Sequence, residues 1–113
     1  MAEFAHESER QFAQLLDGYG IRWDYEPTTF VLGTDDAGLP TEAFTPDFYL
    51  PDFDTYVELT TMRQPLVTKK NRKVRRLAET HPDVRVKLLY RRDLERLEAK
   101  YRLADAALSL IHI

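Results

Sequence analysis

Residues 44–60 of the chain read FTPDFYLPDFDTYVELT, and this stretch decides the fold. Two runs rich in aromatic and β-branched residues flank the sequence PDFD at 51–54, a pattern that favours a β-hairpin. With those four residues as the loop, Asp47 lies directly opposite Glu58 on the neighbouring strand. Because side chains alternate along a strand, both carboxylates share one face of the sheet and the apolar side chains take the other.

The two facing carboxylates repel each other, which destabilises the strand pairing unless a positive charge lies close by. A divalent cation would supply that charge. Carboxylate oxygens with no cysteine or histidine nearby favour Mg²⁺ or Mn²⁺ over zinc. In the other interpretation that stays open, Pro46-Asp47 and Pro51-Asp52 are simple turn dipeptides and Glu58 pairs with an arginine.

Hydrophobic periodicity on either side of this segment predicts an α/β (α+β) domain with a mixed sheet, in the order α-β-β-β-α-β-α. Four aromatic residues are predicted to fill its core: Trp23, Phe30, Phe48 and Phe53. The other predicted elements are a helix at about 6–19, a strand at 21–32 that Pro27 stops or bends, a hairpin connection at 33–38, a helix at about 66–79, a strand at 84–90 and a C-terminal helix capped by Asp93.

The formal net charge of −3 over 113 residues hides a division between an acidic and a basic part. Residues 1–60 carry a balance of −11, and residues 61–102 carry a balance of +9. Such asymmetry predicts a polyanionic partner or two mutually compensating faces. The absence of cysteine excludes a disulfide framework and a cysteine nucleophile. No apolar run approaches the ~18 residues of a membrane span and the N-terminus has no signal-peptide pattern, so we expect a cytoplasmic protein without a membrane partner.

The segment KKNRKVRR at 69–76 holds six basic residues in eight. Four basic residues of this segment share one face of the predicted helix: Lys69, Arg72, Lys73 and Arg76. Such a face suits contact with a phosphate backbone, so we predict nucleic-acid binding that depends on salt and carries no base specificity. A solvated surface that offsets the acidic part is the alternative. Further basic residues either extend this patch or pair with Glu95 and Glu98: Arg85, Lys87, Arg91 and Arg92.

The pair Pro46-Asp47, followed after eleven residues by Glu58-Leu59-Thr60, resembles the motif of the PD-(D/E)XK nuclease superfamily. The superfamily has a restriction-endonuclease-like αβββαβ core, which the predicted order reproduces over roughly residues 6–90 before a C-terminal helix. Many members carry a glutamate on the first helix, and Glu9 is similarly placed. Two segments also resemble the opening of small bacterial nuclease-like domains: Ser8-Glu9-Arg10 and Trp23-Asp24-Tyr25-Glu26-Pro27.

The resemblance implies metal-dependent hydrolysis of phosphodiester bonds, with DNA as the expected substrate, and it leaves a homodimer open. It also implies that Asp47, Glu58 and the backbone carbonyl of Leu59 hold Mg²⁺ or Mn²⁺. Glu9 would then assist through the metal or through a bound water molecule. The cation would generate the attacking nucleophile and stabilise the charged transition state.

One position departs from the family pattern. Thr60 stands where the family has a lysine that positions or activates the attacking water and offsets charge on the scissile phosphate. Some members carry this lysine on the following helix, where Lys69, Lys70 and Lys73 are available, and we favour Lys70. If no lysine reaches the site, we expect a domain that binds nucleic acid without cutting it.

The C-terminal residues 108–113, LSLIHI, match the translation of a transposon end used in sequencing-library adapters. We therefore predict a single domain at 1–107 followed by a non-native tail, and a native protein that continues past Ala107. An ordinary apolar C-terminus is the alternative.

Segments 44–51 and 66–73 resemble chains sometimes labelled hypoxanthine phosphoribosyltransferase. That chemistry needs an apolar strand, two adjacent acids and a small Gly/Thr loop, and Asp35-Asp36 lacks both the strand and the loop. Fusion to a downstream domain would explain the label, so an accessory domain of a longer protein is a further alternative.

Overall fold

The computed structural model describes the backbone of residues 4–61 and 64–111 and the side chains of residues 4–61 and 67–102. Within these residues no helix is long and apolar enough to cross a membrane. A 3₁₀ turn, Pro51–Phe53, connects two of the strands. The helices and strands are α1 (Glu7–Gly18), β1 (Asp24–Tyr25), β2 (Phe30–Thr34), β3 (Pro40–Phe44), β4 (Phe48–Leu50), β5 (Thr55–Thr60), α2 (Gln64–Thr80), β6 (Val86–Tyr90) and α3 (Arg91–Ile111).

Four of the strands form a mixed sheet in the spatial order β1-β4-β5-β6. β4 pairs with β1 and with β5 in antiparallel fashion, whereas β6 runs parallel to β5 after the crossover through α2. The strands β2 and β3 form a separate antiparallel hairpin. Apart from this inserted hairpin, the order of elements is α-β-β-β-α-β-α, so the predicted mixed α/β fold with its C-terminal helix is confirmed.

The register of the β4–β5 hairpin is the predicted one. Leu50 pairs with Thr55 and Phe48 pairs with Val57, so the two strands continue toward Asp47 and Glu58 as opposite neighbours. Phe48 is completely buried and Val57 nearly so, which pins the apolar face of the hairpin to the core. Because a shift of one residue would turn every side chain to the other face, this burial also fixes the position of the carboxylates.

Two predicted strands are each divided into two, and both divisions fall at a proline. The predicted strand at 21–32 is split around Pro27 into β1 in the main sheet and β2 in the hairpin. The predicted strand at 44–50 is likewise split around Pro46 into β3 and β4. Proline lacks the amide hydrogen that a central strand would donate, so the chain leaves one sheet and enters the other at these positions.

The larger hydrophobic core lies between the main sheet and helices α1 and α3. Its buried residues are Phe12, Ala13, Leu15, Leu16, Phe48, Val57, Leu59, Leu89 and Leu94. A smaller core of Leu32, Phe44 and Leu77 attaches the β2–β3 hairpin to α2. Burying one such Leu or Phe side chain contributes roughly 1.5–3 kcal/mol, so both cores stabilise the arrangement of elements.

Three of the four aromatic core predictions are confirmed, because Phe48 is buried and Trp23 and Phe30 pack against the cores. The prediction for Phe53 is wrong. Its side chain is 54% exposed, since Phe53 lies in the 3₁₀ turn and not on a strand. Of the predicted tail, residues 108–111 continue helix α3 and residues 112–113 lie outside the described part of the chain.

Candidate functional site

The carboxylates of Asp47 and Glu58 face each other at the end of the β4–β5 hairpin, where each accepts a hydrogen bond from the backbone of the other strand. The backbone N–H of Asp47 donates to Oε1 of Glu58 over 3.0 Å. The backbone N–H of Leu59 donates to Oδ2 of Asp47 over 2.9 Å. Each acidic side chain therefore accepts a hydrogen bond from the opposite strand, and the structure brings the two predicted residues together.

Lys70 of α2 supplies the positive charge beside this pair. Its Nζ lies 3.1 Å from Oε2 of Glu58 and donates to the backbone carbonyl of Leu59 over 2.5 Å. The side chain of Glu58 is 5% exposed and that of Lys70 is 21% exposed, so the ion pair is largely shielded from water. Among the described residues Glu58 therefore pairs with a lysine, the one favoured from the sequence, and not with an arginine.

Thr60 occupies a different environment from the acidic pair although it lies only two residues beyond Glu58. Its side chain is buried, and Oγ1 donates to the carbonyl of Leu89 on β6 over 3.1 Å. The hydroxyl is thereby used in holding two parallel strands together. It brings no charge to the carboxylates, and Lys70 lies where a charge is needed.

A second group of acids includes Asp47 together with residues from α1 and from the end of β1, the strand that flanks β4 on the side away from β5. One carboxylate oxygen each from Glu9, Glu26 and Asp47 lies within 4.8 Å of the other two. Ligand atoms held by one Mg²⁺ or Ca²⁺-sized ion at about 2.1–2.5 Å lie at most ~4–5 Å apart, so the spacing fits a single hard cation. Oxygen ligands of this kind suit Mg²⁺ or Mn²⁺.

The three acids are held in place by different elements. Glu9 is buried on α1 and accepts a hydrogen bond from the hydroxyl of Tyr25. Glu26 follows β1, and its backbone N–H donates to the carbonyl of Asp47 over 2.8 Å. Glu26 also has φ of 47°, a left-handed conformation that is uncommon for residues other than glycine. This bend turns the chain at the point where it meets Asp47.

Glu26 was not among the residues predicted from the sequence. The following residue, Pro27, indicates a bend, but nothing in the local sequence reveals that the bend lies beside Asp47. The predicted ligands Glu58 and Leu59 carbonyl are instead in contact with Lys70. Asp47 is common to both sets, and the ligand role of each set stays a prediction.

Burial dominates the electrostatics of the site. Burial and, after it, the neighbouring charge of Glu58 raise the pKa of Asp47 to about 7, against the lowering effects of the Leu59 N–H and of Lys70. Burial also raises the pKa of Glu58, against the opposing effect of Lys70, and the pKa of Glu9, against the hydrogen bond from Tyr25. Carboxylates with raised pKa values are costly to ionise without a compensating cation, so this site is suited to bind one.

The predicted nucleic-acid face of α2 is partly engaged by the β2–β3 hairpin and by α2 itself. Arg72 forms an ion pair with Glu42, and Nζ of Lys73 donates to the carbonyl of Ala43 over 3.2 Å. Arg76 pairs with Glu79 on the same helix at 3.2 Å. Lys69 is exposed and forms no ion pair with the described residues.

Comparison of the chain with protein-family models, with curated proteins and with solved structures found no match. The protein can therefore be described only by its own fold and by the residues of its candidate site. It is a mixed α/β domain that holds a buried acidic pair, a lysine from the following helix and a neighbouring group of three carboxylates.

Proposed function

We propose that the chain is a divalent-metal-dependent nuclease domain of the PD-(D/E)XK kind, which hydrolyses phosphodiester bonds in DNA. The observation that carries the proposal is the contact of Lys70 with Glu58 and with the carbonyl of Leu59. Lys70 brings a positive charge to Asp47 and Glu58, although the position of the motif lysine is occupied by Thr60. The αβββαβ order of the main-sheet elements supports the same interpretation.

The carboxylates fit a hard divalent cation, with Asp47 as the shared ligand of two alternative sets. Glu9 and Glu26 complete one set, whose oxygens are spaced for a single ion. In the set that the motif implies, Glu58 and the Leu59 carbonyl join Asp47, and both contact Lys70 in this structure. When bound, Mg²⁺ or Mn²⁺ would supply charge stabilisation for the phosphoryl group and make a water molecule more acidic.

The chain's own residues then have separate roles. The ammonium group of Lys70 offsets negative charge that develops on the phosphoryl oxygens, because a fixed charge in a water-poor site needs no reorganisation during the reaction. Glu58 holds that ammonium group in place through the 3.1 Å ion pair. Asp47, with its pKa near 7, is ionised once a cation is close by.

A plasmid-nicking assay in Mg²⁺ or Mn²⁺ tests the proposal. Wild-type protein is expected to nick supercoiled DNA, and Asp47→Ala is expected to reduce the rate by roughly a hundredfold or more, the size of effect typical for loss of electrostatic stabilisation. Asp52→Ala is the matched control, because Asp52 is an exposed aspartate after a proline in the same hairpin. Equal nicking by wild type and Asp47→Ala would sink the proposal.

A nucleic-acid-binding domain without cleavage is the second candidate. It is favoured by Thr60, whose hydroxyl is bound to the carbonyl of Leu89 and so offers neither a charge nor a free donor at the motif position. DNA binding by wild type together with no nicking in either metal would support this candidate over the first.

A further inference from the structure

A polar cavity without carboxylates among its described lining residues lies at the carboxyl end of the parallel strands β5 and β6. It has a volume of about 400 Å³. The last residue pair of these strands, Thr60 and Tyr90, forms part of its wall. In open α/β sheets, ligands bind in the crevice outside the carboxyl ends of parallel strands. The described lining residues are Thr60, Thr61, Val67, Asn71, Tyr90, Arg91 and Arg92.

The charge of this lining is positive. Two arginines line the cavity, and no carboxylate is among the described lining residues. Neither Arg91 nor Arg92 forms an ion pair within the described part of the chain, so the alternative in which they pair with Glu95 or Glu98 is not seen there. Asp93, in the first turn of α3, lines a different cavity and accepts a hydrogen bond from the N–H of Tyr90.

Hydrogen bonds hold the polar groups of the wall in fixed orientations. Arg91 donates one N–H to the carbonyl of Thr61 over 3.0 Å, which anchors its guanidinium at the cavity. The hydroxyl of Tyr90 donates to Oδ1 of Asn71 over 3.2 Å, which leaves the amide NH₂ of Asn71 as a donor. Arg92 is exposed, and within the described part of the chain none of its five guanidinium N–H groups has a hydrogen-bond partner.

From these observations we propose that this cavity binds a phosphate group of a nucleic acid, with the guanidinium groups of Arg91 and Arg92 and the amide of Asn71 as donors. Guanidinium groups recognise phosphate through paired hydrogen bonds, which an unpaired arginine at a cavity wall can form. The inference rests on the proposed function, because the cavity adjoins the proposed catalytic residues. Asn71 follows Lys70 on α2, and Thr60 lies two residues after Glu58 on β5. A strand cut at the carboxylates would therefore place a neighbouring phosphate here.

The test is equilibrium binding of a fluorescent 16-base-pair DNA duplex, measured by anisotropy in EDTA between 50 and 250 mM KCl. Arg92→Ala is the main variant, since Arg92 makes no hydrogen bond within the described protein and its loss should leave the fold intact. Arg96→Ala is the matched control, because it removes the same charge from an exposed arginine of α3 that lines the other cavity. We expect Arg92→Ala to weaken binding about five- to twentyfold and to lower the salt slope by about one.

A duplex with a 5′-terminal phosphate, compared with the same duplex without it, distinguishes the source of the phosphate. A dependence on Arg92 in both duplexes assigns an internal phosphate, and a dependence only in the first assigns a terminal one. Equal weakening by Arg92→Ala and Arg96→Ala, or no binding by wild type, would overturn the inference. Because binding in EDTA needs neither metal nor cleavage, its outcome is independent of the nicking assay that tests the proposed function.

Discussion

The dipeptide Pro-Asp occurs twice in the hairpin segment, five residues apart, and the two copies have opposite electrostatic properties. Asp47 is partly buried beside Glu58, and burial together with the charge of Glu58 raises its pKa to about 7. Asp52 is exposed, and a hydrogen bond from Arg22 lowers its pKa. The same dipeptide thus gives a carboxylate with a raised pKa at one end of the strands and a surface ion pair with Arg22 at the other. Burial and the neighbouring charged side chains, and not the local sequence, make the difference.

Removing the positively charged side chain beside each aspartate should give the largest difference in the free energy of unfolding between the two sites. Lys70→Met leaves Glu58 and Asp47 without their compensating charge, and we expect a loss of about 2–3 kcal/mol in the free energy of unfolding at pH 8. The loss should be smaller at pH 5, where the carboxylates can take up protons. Urea denaturation at both pH values measures it.

Arg22→Gln is the matched variant at the other Pro-Asp pair. Exposed ion pairs contribute little because water and salt screen them, so we expect no measurable change in the denaturation midpoint. Equal destabilisation by the two variants would show that the environments of the two aspartates do not differ as the structure indicates.

The pH dependence of stability should differ in sign between the two aspartates. The folded-state pKa of Asp47, about 7, lies above its ordinary value of 3.8, so the folded protein retains this proton more tightly than the unfolded chain. The resulting stabilisation is complete below about pH 4 and is lost as the pH rises through 7. We expect Asp47→Asn to gain about 1–2 kcal/mol over wild type between pH 5 and pH 8 in thermal or urea unfolding.

Asp52→Asn should behave in the opposite way. Because the pKa of Asp52 is lowered, its charged form stabilises the fold above pH 4, and this contribution disappears as the pH falls through the folded-state pKa. The variant should therefore follow wild type between pH 5 and pH 8. A flat wild-type profile over that range, identical to that of Asp47→Asn, would contradict the raised pKa of Asp47.

Metal binding should also separate the clustered acids from Asp52, and it distinguishes the two candidate ligand sets. If Glu9, Glu26 and Asp47 hold the cation, Glu26→Gln should weaken Mn²⁺ binding about tenfold in a calorimetric titration, which corresponds to ~1.4 kcal/mol. If Asp47, Glu58 and the Leu59 carbonyl hold it, Glu58→Gln should have the larger effect. Asp52→Asn, the control, should bind Mn²⁺ as wild type does.

The register of the β4–β5 hairpin could be predicted because two local signals agree. The sequence PDFD closes the loop, and the alternation of Phe48 with Asp47 and Tyr49 assigns each side chain to a face. The lysine was predictable for a related reason. The spacing of apolar residues on α2 orients the helix, and its position directly after β5 brings Lys70 within reach of the acids.

Other features of the site could not be predicted from local patterns. The position of Glu26 beside Asp47 depends on β1 pairing with β4, a contact across more than twenty residues of chain. Pro27 marks a bend in the local sequence, but the pairing of β2 with β3 in a sheet of their own has the same long-range origin. The engagement of Arg72 and Lys73 by the β2–β3 hairpin likewise arises only when that hairpin packs on α2.

By itself, the sequence determined which residues alternate and which share a helix face, since these follow from the fixed periods of strands and helices. It therefore determined the order of elements, the facing pair of Asp47 and Glu58 and the availability of Lys70. Only the tertiary structure decided which carboxylates are buried, which arginines form no ion pair with the described residues and which acids lie close together. Burial and long-range strand pairing are properties of the packed chain. They raise the pKa of Asp47, whereas Asp52, which also follows a proline, is exposed and has a lowered pKa.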